Sequence, residues 1–293
     1  MASPRPPAPT APSPPLTELL RAADGGAALT RLDPDSTPGT TKREAKRAMP
    51  ALAERVAELQ ERLYAEARGG TGGRALLLVV QGMDTAGKGG IMRHVVGACD
   101  PQGLRITAFK APTAEERRHP FLWRIRRALP RPGEIGVFDR SHYEDVLVVR
   151  VHDLVPRAVW ARRYAQINRF EQQVAAGGTE ILKVMLHISP QEQGRRLAER
   201  LARPDKYWKY NPRDVDERML WPAYQEAYAA ALDRCSTPVA PWHVVPADHK
   251  WYARWAVMTL LAGRLEAMNP RWPPATFDVA AERRRLATAD PLA

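Results

Sequence analysis

The stretch that decides the reading is Ala75-Leu-Leu-Leu-Val-Val-Gln-Gly82-Met-Asp-Thr-Ala-Gly87-Lys88-Gly89. Its first half is a short, continuous apolar run, the pattern of a strand buried on both faces of a parallel sheet. Its second half fits Gly-x-x-x-x-Gly-Lys, directly after that strand and before a helix expected to open near Gly90. Glycines let backbone N–H groups turn inward around phosphate oxygens, and Lys88 adds a point charge. A tight strand-to-helix turn with a surface lysine would use the same residues, but the flanking elements favour a phosphate loop built from Gly82, Thr85, Ala86, Gly87, Gly89 and Gly90.

The loop departs from the commonest form. Position 89 is Gly, where ATPases and GTPases carry the hydroxyl that ligates Mg²⁺, and Asp84 stands inside the loop instead. A carboxylate among phosphates is repelled unless a cation lies between them, so Asp84 is a candidate metal ligand.

Working outward, apolar runs and helical periodicities alternate. Strands are expected at Leu104–Phe109, Glu134–Phe138, Glu180–Ile188 and Trp242–Val245. Helices are expected at Phe121–Leu129, Pro156–Ala176, Pro190–Leu201, Val215–Leu232 and Lys250–Leu265. This alternation predicts an α/β fold, a doubly wound and mostly parallel sheet of the phosphate-loop kinase type with a helical lid. Ligands of such sheets sit beyond the carboxyl ends of the strands. The kinase domain is expected over residues 75–268. Before it come a disordered Pro-rich tail at 1–16 and an extension at 17–74 that carries an amphipathic helix, Thr41–Arg68; after it comes a tail at 269–293.

A second constellation follows the strand that ends near Phe138. Asp139 stands at its end, as the second carboxylate of phosphate-loop enzymes does, and is the second candidate Mg²⁺ ligand. Arg140 follows at once and is suited to stabilise charge on a phosphoryl group in flight. His142 reads as a packed, hydrogen-bonded residue, with no second His or Cys near it at zinc-ligand spacing.

The third is Arg195–Arg213, where seven basic residues (Arg195, Arg196, Arg200, Arg203, Lys206, Lys209, Arg213) face two acids, Glu199 and Asp205. Pro204 and Pro212 interrupt it. A basic, interrupted segment opposite a phosphate loop reads as a lid, at about 195–214, that closes over phosphates.

The whole chain has 293 residues, with 44 Lys and Arg against 33 Asp and Glu, a net charge of +11. Such an excess attracts a polyanion. The longest apolar run, Ala75–Val80, is far short of the roughly 20 residues of a membrane span. Two cysteines, Cys99 and Cys235, make no disulfide framework and suit a reducing cytoplasm.

Taken together, these residues resemble the polyphosphate kinase 2 family, which uses inorganic polyphosphate to phosphorylate nucleotides. The resemblance lies in Gly82–Gly90 (GMDTAGKGG), Phe109–Thr113 (FKAPT), Phe138–Val146 (FDRSHYEDV), Arg196–Lys209 (RLAERLARPDKYWK) and Ser236–Trp251 (STPVAPWHVVPADHKW). It runs from about Leu32 to Leu265.

The resemblance implies phosphate cradling by Gly82–Gly89 with Lys88, and Mg²⁺ (or Mn²⁺) at Asp84 and Asp139. It gives transition-state charge to Arg140 and the lid to Arg200, Lys206 and Lys209, with Lys110, Arg196 and Arg203 among the phosphate and nucleotide contacts. It also implies a cytoplasmic homo-oligomer that partners polyphosphate and nucleotides, but neither nucleic acid nor membrane. The Ser-His-Tyr-Glu-Asp run is similar to the subgroup acting on both nucleoside mono- and diphosphates, although that subgroup carries Asn where this chain has Asp139.

Two other readings share part of the pattern: an ATP-using nucleoside-monophosphate kinase, and a nucleic-acid-binding phosphate-loop ATPase. The excess of positive charge speaks against the first. Against the second, there is no run of base-stacking aromatics interleaved with basic residues.

Overall fold

The computed structural model describes residues 15–289. Among them, five strands form one sheet: β1 (Ala75–Gly82), β2 (Leu104–Ala108), β3 (Ile135–Asp139), β4 (Thr179–His187) and β5 (Trp242–Pro246). Their order across the sheet is β2-β3-β1-β4-β5, and every pairing is parallel. Every residue of β1 is buried. That is why its sequence is an unbroken apolar run: the strand lies mid-sheet with both faces covered, and burying each Leu or Val contributes roughly 1.5–3 kcal/mol.

The helices are α1 (Leu16–Leu20), α2 (Ala27–Arg31), α3 (Lys42–Arg68), α4 (Lys88–His94), α5 (Trp123–Ala128), α6 (Val148–Val151), α7 (Arg157–Ala176), α8 (Pro190–Leu201), α9 (Arg213–Met219), α10 (Trp221–Cys235), α11 (Lys250–Met268) and α12 (Val279–Thr288). The largest helix–helix interface joins α3 and α11, while α7 packs on β4 and α10. Helix α3 begins with a capping box: the Thr41 hydroxyl accepts from the Glu44 N–H, and the Glu44 carboxylate accepts from the Thr41 N–H. Such a cap contributes about 1 kcal/mol.

The doubly wound fold agrees with the sequence reading, with local differences. The helix after the phosphate loop opens at Lys88, two residues before Gly90. The single helix expected over Val215–Leu232 is two, α9 and α10, parted at Leu220. Pro222 has no N–H to bond the carbonyl of Arg218, and its ring crowds that carbonyl, so the helix restarts rather than continuing. Helix α12, capped by the Asp278 carboxylate, lies within the expected C-terminal tail. Of the expected N-terminal tail, residues 1–14 lie outside the described residues, and Leu16 opens α1.

β1 lies between β3 and β4: from β1 the chain builds β2 and β3 on one side, then crosses over to build β4 and β5 on the other. That switch in direction opens a crevice beyond the carboxyl ends of β1 and β3.

Candidate active site

The phosphate loop leaves β1 at Gly82 and enters α4 at Lys88. Gly82 sits at φ 153°, and a Cβ there would meet the Leu186 carbonyl oxygen at 2.8 Å, so only glycine fits. Gly87 sits at φ 115°. Thr85, a β-branched residue, is held at φ 63°, a strained conformation of the kind found at ligand clamps.

The Lys88 ammonium donates to the loop's own carbonyls, Gly82 O at 2.7 Å and Met83 O at 3.2 Å. Burial lowers its affinity for the proton and Asp84 opposes that shift.

β3 runs beside β1 with Val80 opposite Asp139, which sets Asp139 next to the root of the loop. Arg140 follows at φ 63°. Its N–H donates to Val80 O at 3.1 Å, and its Nη2 donates to Asp84 Oδ1 at 2.9 Å. Burial works against the Arg140 charge, but Glu144 and Asp84 more than offset it, so the guanidinium holds its proton more tightly than usual. Glu144, one turn on, is pushed above the ordinary carboxylate range by burial, against the pull of Arg140 and Lys88.

The turn that carries Glu144 is anchored from below. His142 and Tyr143 are buried, with His142 Nε2 3.2 Å and Tyr143 OH 2.8 Å from Glu171 Oε1. Lys183, in the middle of β4, donates to Glu171 Oε2, the Tyr143 hydroxyl and Cys235 O at 2.6–2.7 Å.

Helix α8 crosses the loop. Gln193 Nε2 donates to Asp84 O at 3.2 Å. A cavity of about 210 Å³ opens between the loop, Asp84, Arg140 and Glu144 on one side and Arg213, Asp214 and Tyr228 on the other. A broader cleft of about 400 Å³ lies at the end of β2, lined by Lys110, Thr113, Trp123, Arg124 and Arg127. The strand order puts this cleft, Asp139 and the phosphate loop in a row. The arrangement can hold phosphates at the loop with a second phosphorylated ligand entering past Asp139.

The family model described as polyphosphate kinase 2 matches residues 39–273. The chain belongs to the polyphosphate kinase 2 family.

It is 46% identical to an AMP/ADP-polyphosphate phosphotransferase of Meiothermus ruber, over 85% of this chain and 92% of that one. It is 42% identical to an ADP-polyphosphate phosphotransferase of Rhodopseudomonas palustris, over 76% and 80%. The crystal structure of a polyphosphate kinase 2 from Arthrobacter aurescens TC1 superposes with a TM-score of 0.90 at 52% identity, covering 94% of this chain and 97% of that one.

Within this polyphosphate kinase 2 fold, the expected site residues divide into two groups. Gly82, Asp84, Lys88, Asp139 and Arg140 come together at the ends of β1 and β3. Thr85, Ala86, Gly87, Gly89 and Gly90 complete the loop, and Lys110 lies exposed in the cleft beside it.

The cations of the expected lid are placed differently. Arg196, an expected phosphate contact, is 4% exposed, with its five N–H groups donating to Glu192 Oε1, Thr85 O, Ala86 O, Ala247 O and Asp248 O. None remains for a ligand. It braces the loop from behind because its position on α8 turns it toward the loop's carbonyls.

Arg200 bonds Lys209 O at 2.8 Å and Asp214 Oδ2 at 3.3 Å, one contact from the cavity. Arg203 and Lys206 pair with Asp205, and Lys209 lies over the Trp208 ring. None of these last three lines the cavity.

Gln193, Asp214 and Tyr228 also line the cavity and are not among the expected site residues, and Glu144 enters the sequence reading only as part of a motif, without a role. Gln193, Arg196 and Arg200 stand at i, i+3 and i+7, one helix face, and that spacing was the available signal. Glu144 lies within the Phe138–Val146 run that carries the resemblance, whereas Asp214 and Tyr228 have no such signal, since they converge only through tertiary packing.

Proposed function

We propose that the chain transfers the terminal phosphoryl group of inorganic polyphosphate to nucleoside mono- and diphosphates, reversibly. The observation that carries this reading is the alignment of Lys88 and Asp84 after β1 and Arg140 after β3 with the basic cleft at the end of β2. It is supported by family membership and by a relative at 46% identity whose name specifies both AMP and ADP.

The terminal phosphate of the donor sits in the loop against Lys88. The acceptor enters through the cleft of Lys110 and Thr113 and presents a phosphate oxygen in line with it. That oxygen is already ionised, so no strong general base is needed. A bond forms from it to the terminal phosphorus as the bridging P–O bond breaks, and the shortened polyphosphate leaves as an anion. Arg140 lies where it offsets charge on the transferred group, and positioning and charge neutralisation supply the rate.

Among the described residues no three carboxylate, imidazole or thiol groups converge as a ready-made metal cage. The loop instead offers Asp84 and Asp139, hard oxygen donors flanking the place for phosphates. Two carboxylates completed by phosphate oxygens and water are the donor set that Mg²⁺ accepts, so these residues fit it, and Asp84 and Asp139 would hold it. When bound, the ion supplies neutralisation of phosphate charge.

The same reading carries a homo-oligomeric enzyme of the reducing cytoplasm. Its support is the resemblance, together with the buried, unpaired thiols Cys99 and Cys235. Among the described residues no helix is long and apolar enough to cross a membrane.

The test is incubation of purified protein with polyphosphate, Mg²⁺ and AMP, ADP, GMP or GDP separately, with chromatographic separation of products. Phosphorylation of both a mono- and a diphosphate is expected. Turnover of diphosphates alone would move the chain to a diphosphate-specific reading.

A further inference from the structure

A charged side chain stands in the middle of the sheet. Lys183 lies on β4 between Leu182 and Val184 and is fully buried. Its ammonium donates to acceptors on three different elements: Glu171 Oε2 of α7 at 2.6 Å, the Tyr143 hydroxyl at 2.7 Å, and Cys235 O at the end of α10 at 2.7 Å. The rings of Tyr143 and Trp242 lie beside it, each centroid 5.1 Å from Nζ. Glu171 is buried as deeply, and its Oε1 accepts from Tyr143 OH at 2.8 Å and lies 3.2 Å from His142 Nε2. Burial pushes the Glu171 carboxyl up, and Lys183 and His142 outweigh it, so the group ends below the ordinary carboxylate range.

Stability does not ask for this pair. Apolar side chains of similar volume in place of a buried ion pair are often neutral or stabilising. What a fully bonded buried network supplies is fixed geometry. This one fixes the turn His142–Asp145, whose first two side chains are both held by Glu171.

The residue that leads into that turn is strained. Arg140 sits at φ 63°, a left-handed conformation that a residue other than glycine keeps only where its surroundings impose it. Both flanks are anchored. On one side the Arg140 N–H donates to Val80 O at 3.1 Å, and the Asp139 carbonyl accepts from the Phe109 N–H at 3.0 Å. On the other, Ser141 is fully buried, and its Oγ accepts from Gln81 Nε2 and from the Tyr143 N–H, both at 3.2 Å. Tyr143 therefore ties Ser141 through its backbone to Glu171 and Lys183 through its hydroxyl. Between the two anchors the backbone turns left-handed, and the Arg140 guanidinium meets Asp84 at 2.9 Å. Lys183, Glu171 and Tyr143 are absent from the walls of the active-site cavity, whereas Arg140 lines it.

We propose that Lys183, Glu171 and Tyr143 are positioning residues for phosphoryl transfer, which hold Arg140 in its left-handed conformation with the guanidinium where charge develops on the migrating group. This rests on the reading of Arg140 as the group that serves the transferred phosphoryl. A contact made mainly in the transition state is read in kcat rather than KM.

The test is a double-mutant cycle between Tyr143→Phe and Arg140→Ala, followed by steady-state kcat and KM with polyphosphate and ADP. Tyr143→Phe removes the hydroxyl, keeps the ring and leaves Glu171 paired with Lys183; circular dichroism melts check folding. A second variant, Lys183→Met with Glu171→Gln, removes both charges together and carries the same cycle independently of that hydroxyl. Tyr252→Phe is the comparison, since Tyr252 is equally buried and loses one hydroxyl bond, to Pro38 O, outside the turn. Tyr143→Phe is expected to lower kcat roughly tenfold, as a small misplacement of a catalytic group does. Both KM values should stay within about twofold of wild type, and Tyr252→Phe should keep wild-type kcat. In the Arg140→Ala background, the Tyr143 substitution should cost less than about twofold further, because the two act through one contact. A folded Tyr143→Phe with wild-type kcat, an equal loss in Tyr252→Phe, or an undiminished loss in the Arg140→Ala background would each overturn the proposal and leave Arg140 its role. Wild-type turnover by Arg140→Ala would overturn the reading of Arg140 and the proposal together.

Discussion

Arg140 Nη2 donates to Asp84 Oδ1 at 2.9 Å, tying the end of β3 to the phosphate loop that follows β1. In the reaction proposed above, the guanidinium serves the migrating phosphoryl group and the carboxylate serves a cation. Substrate binding therefore exchanges this bond for those contacts. Both side chains are partly exposed, at 39% and 29%, so the pair itself contributes little stability and yields readily to a polyanion.

In the proposed reaction, Lys88 is the group on which phosphate binding turns. Its ammonium touches only loop carbonyls, so Lys88→Met should leave the fold intact and lower turnover by about 10²–10³ or more, as loss of a preorganised transition-state contact does. Thermal melts and steady-state rates check this together. A folded variant within about tenfold of wild type would remove Lys88 from the mechanism.

Asp139 is a metal ligand in this account. Asp139→Asn keeps the shape and loses the charge, so the Mg²⁺ concentration for half-maximal rate should rise by an order of magnitude or more. A Mg²⁺ titration of both proteins decides it, and an unchanged requirement would leave Asp139 as a structural cap of β3.

For the expected lid, Arg200→Ala should lower kcat through loss of a contact to the transferring group, and Lys206→Ala should raise KM for polyphosphate. In both variants the salt dependence of that KM should flatten, while that of the nucleotide changes less. The resting contacts of Arg200 with Lys209 O and Asp214, and of Lys206 with Asp205, are weak enough to be exchanged. Wild-type kcat, KM and salt slope in both variants would reduce the segment to a solvated face.

The buried histidines predict acid sensitivity. His243 is fully buried on β5, and burial pulls it from 6.5 to about 4. The folded state resists protonation that the unfolded chain accepts. Its stability contribution is therefore complete above about 6.5 and is lost as pH falls toward 4, by roughly 3 kcal/mol. His142 and His187 are lowered in the same direction. Urea unfolding of wild type and His243→Gln at pH 7.5 and 4.5 should show a smaller pH difference in the variant. Equal differences would mean that His243 is not among the groups responsible.

Much of the fold and of the site is legible in the chain's linear pattern. The run Ala75–Gln81 reads as a central strand because both of its faces are buried, and the loop that follows is fixed by glycines that backbone geometry requires. Asp139 and Arg140 are legible because a short apolar strand ends in them. What escapes is contact made across the fold. Arg196 carries the same charge as Arg200, and composition alone assigns both to phosphate; only the packing of α8 shows one guanidinium consumed by five hydrogen bonds. Glu144 likewise gains its character from burial beside Arg140 and Lys88, which no linear spacing encodes.

The central claim concerns the donor. The most direct measurement gives the purified enzyme AMP or ADP with Mg²⁺ and, in parallel reactions, either polyphosphate or ATP as the phosphoryl source, following the nucleotides by ion-exchange chromatography. Polyphosphate is expected to drive conversion of AMP to ADP and of ADP to ATP, and ATP is expected not to replace it as donor to AMP. Phosphorylation of AMP by ATP, with polyphosphate inert, would contradict the claim and identify an ATP-using nucleoside-monophosphate kinase.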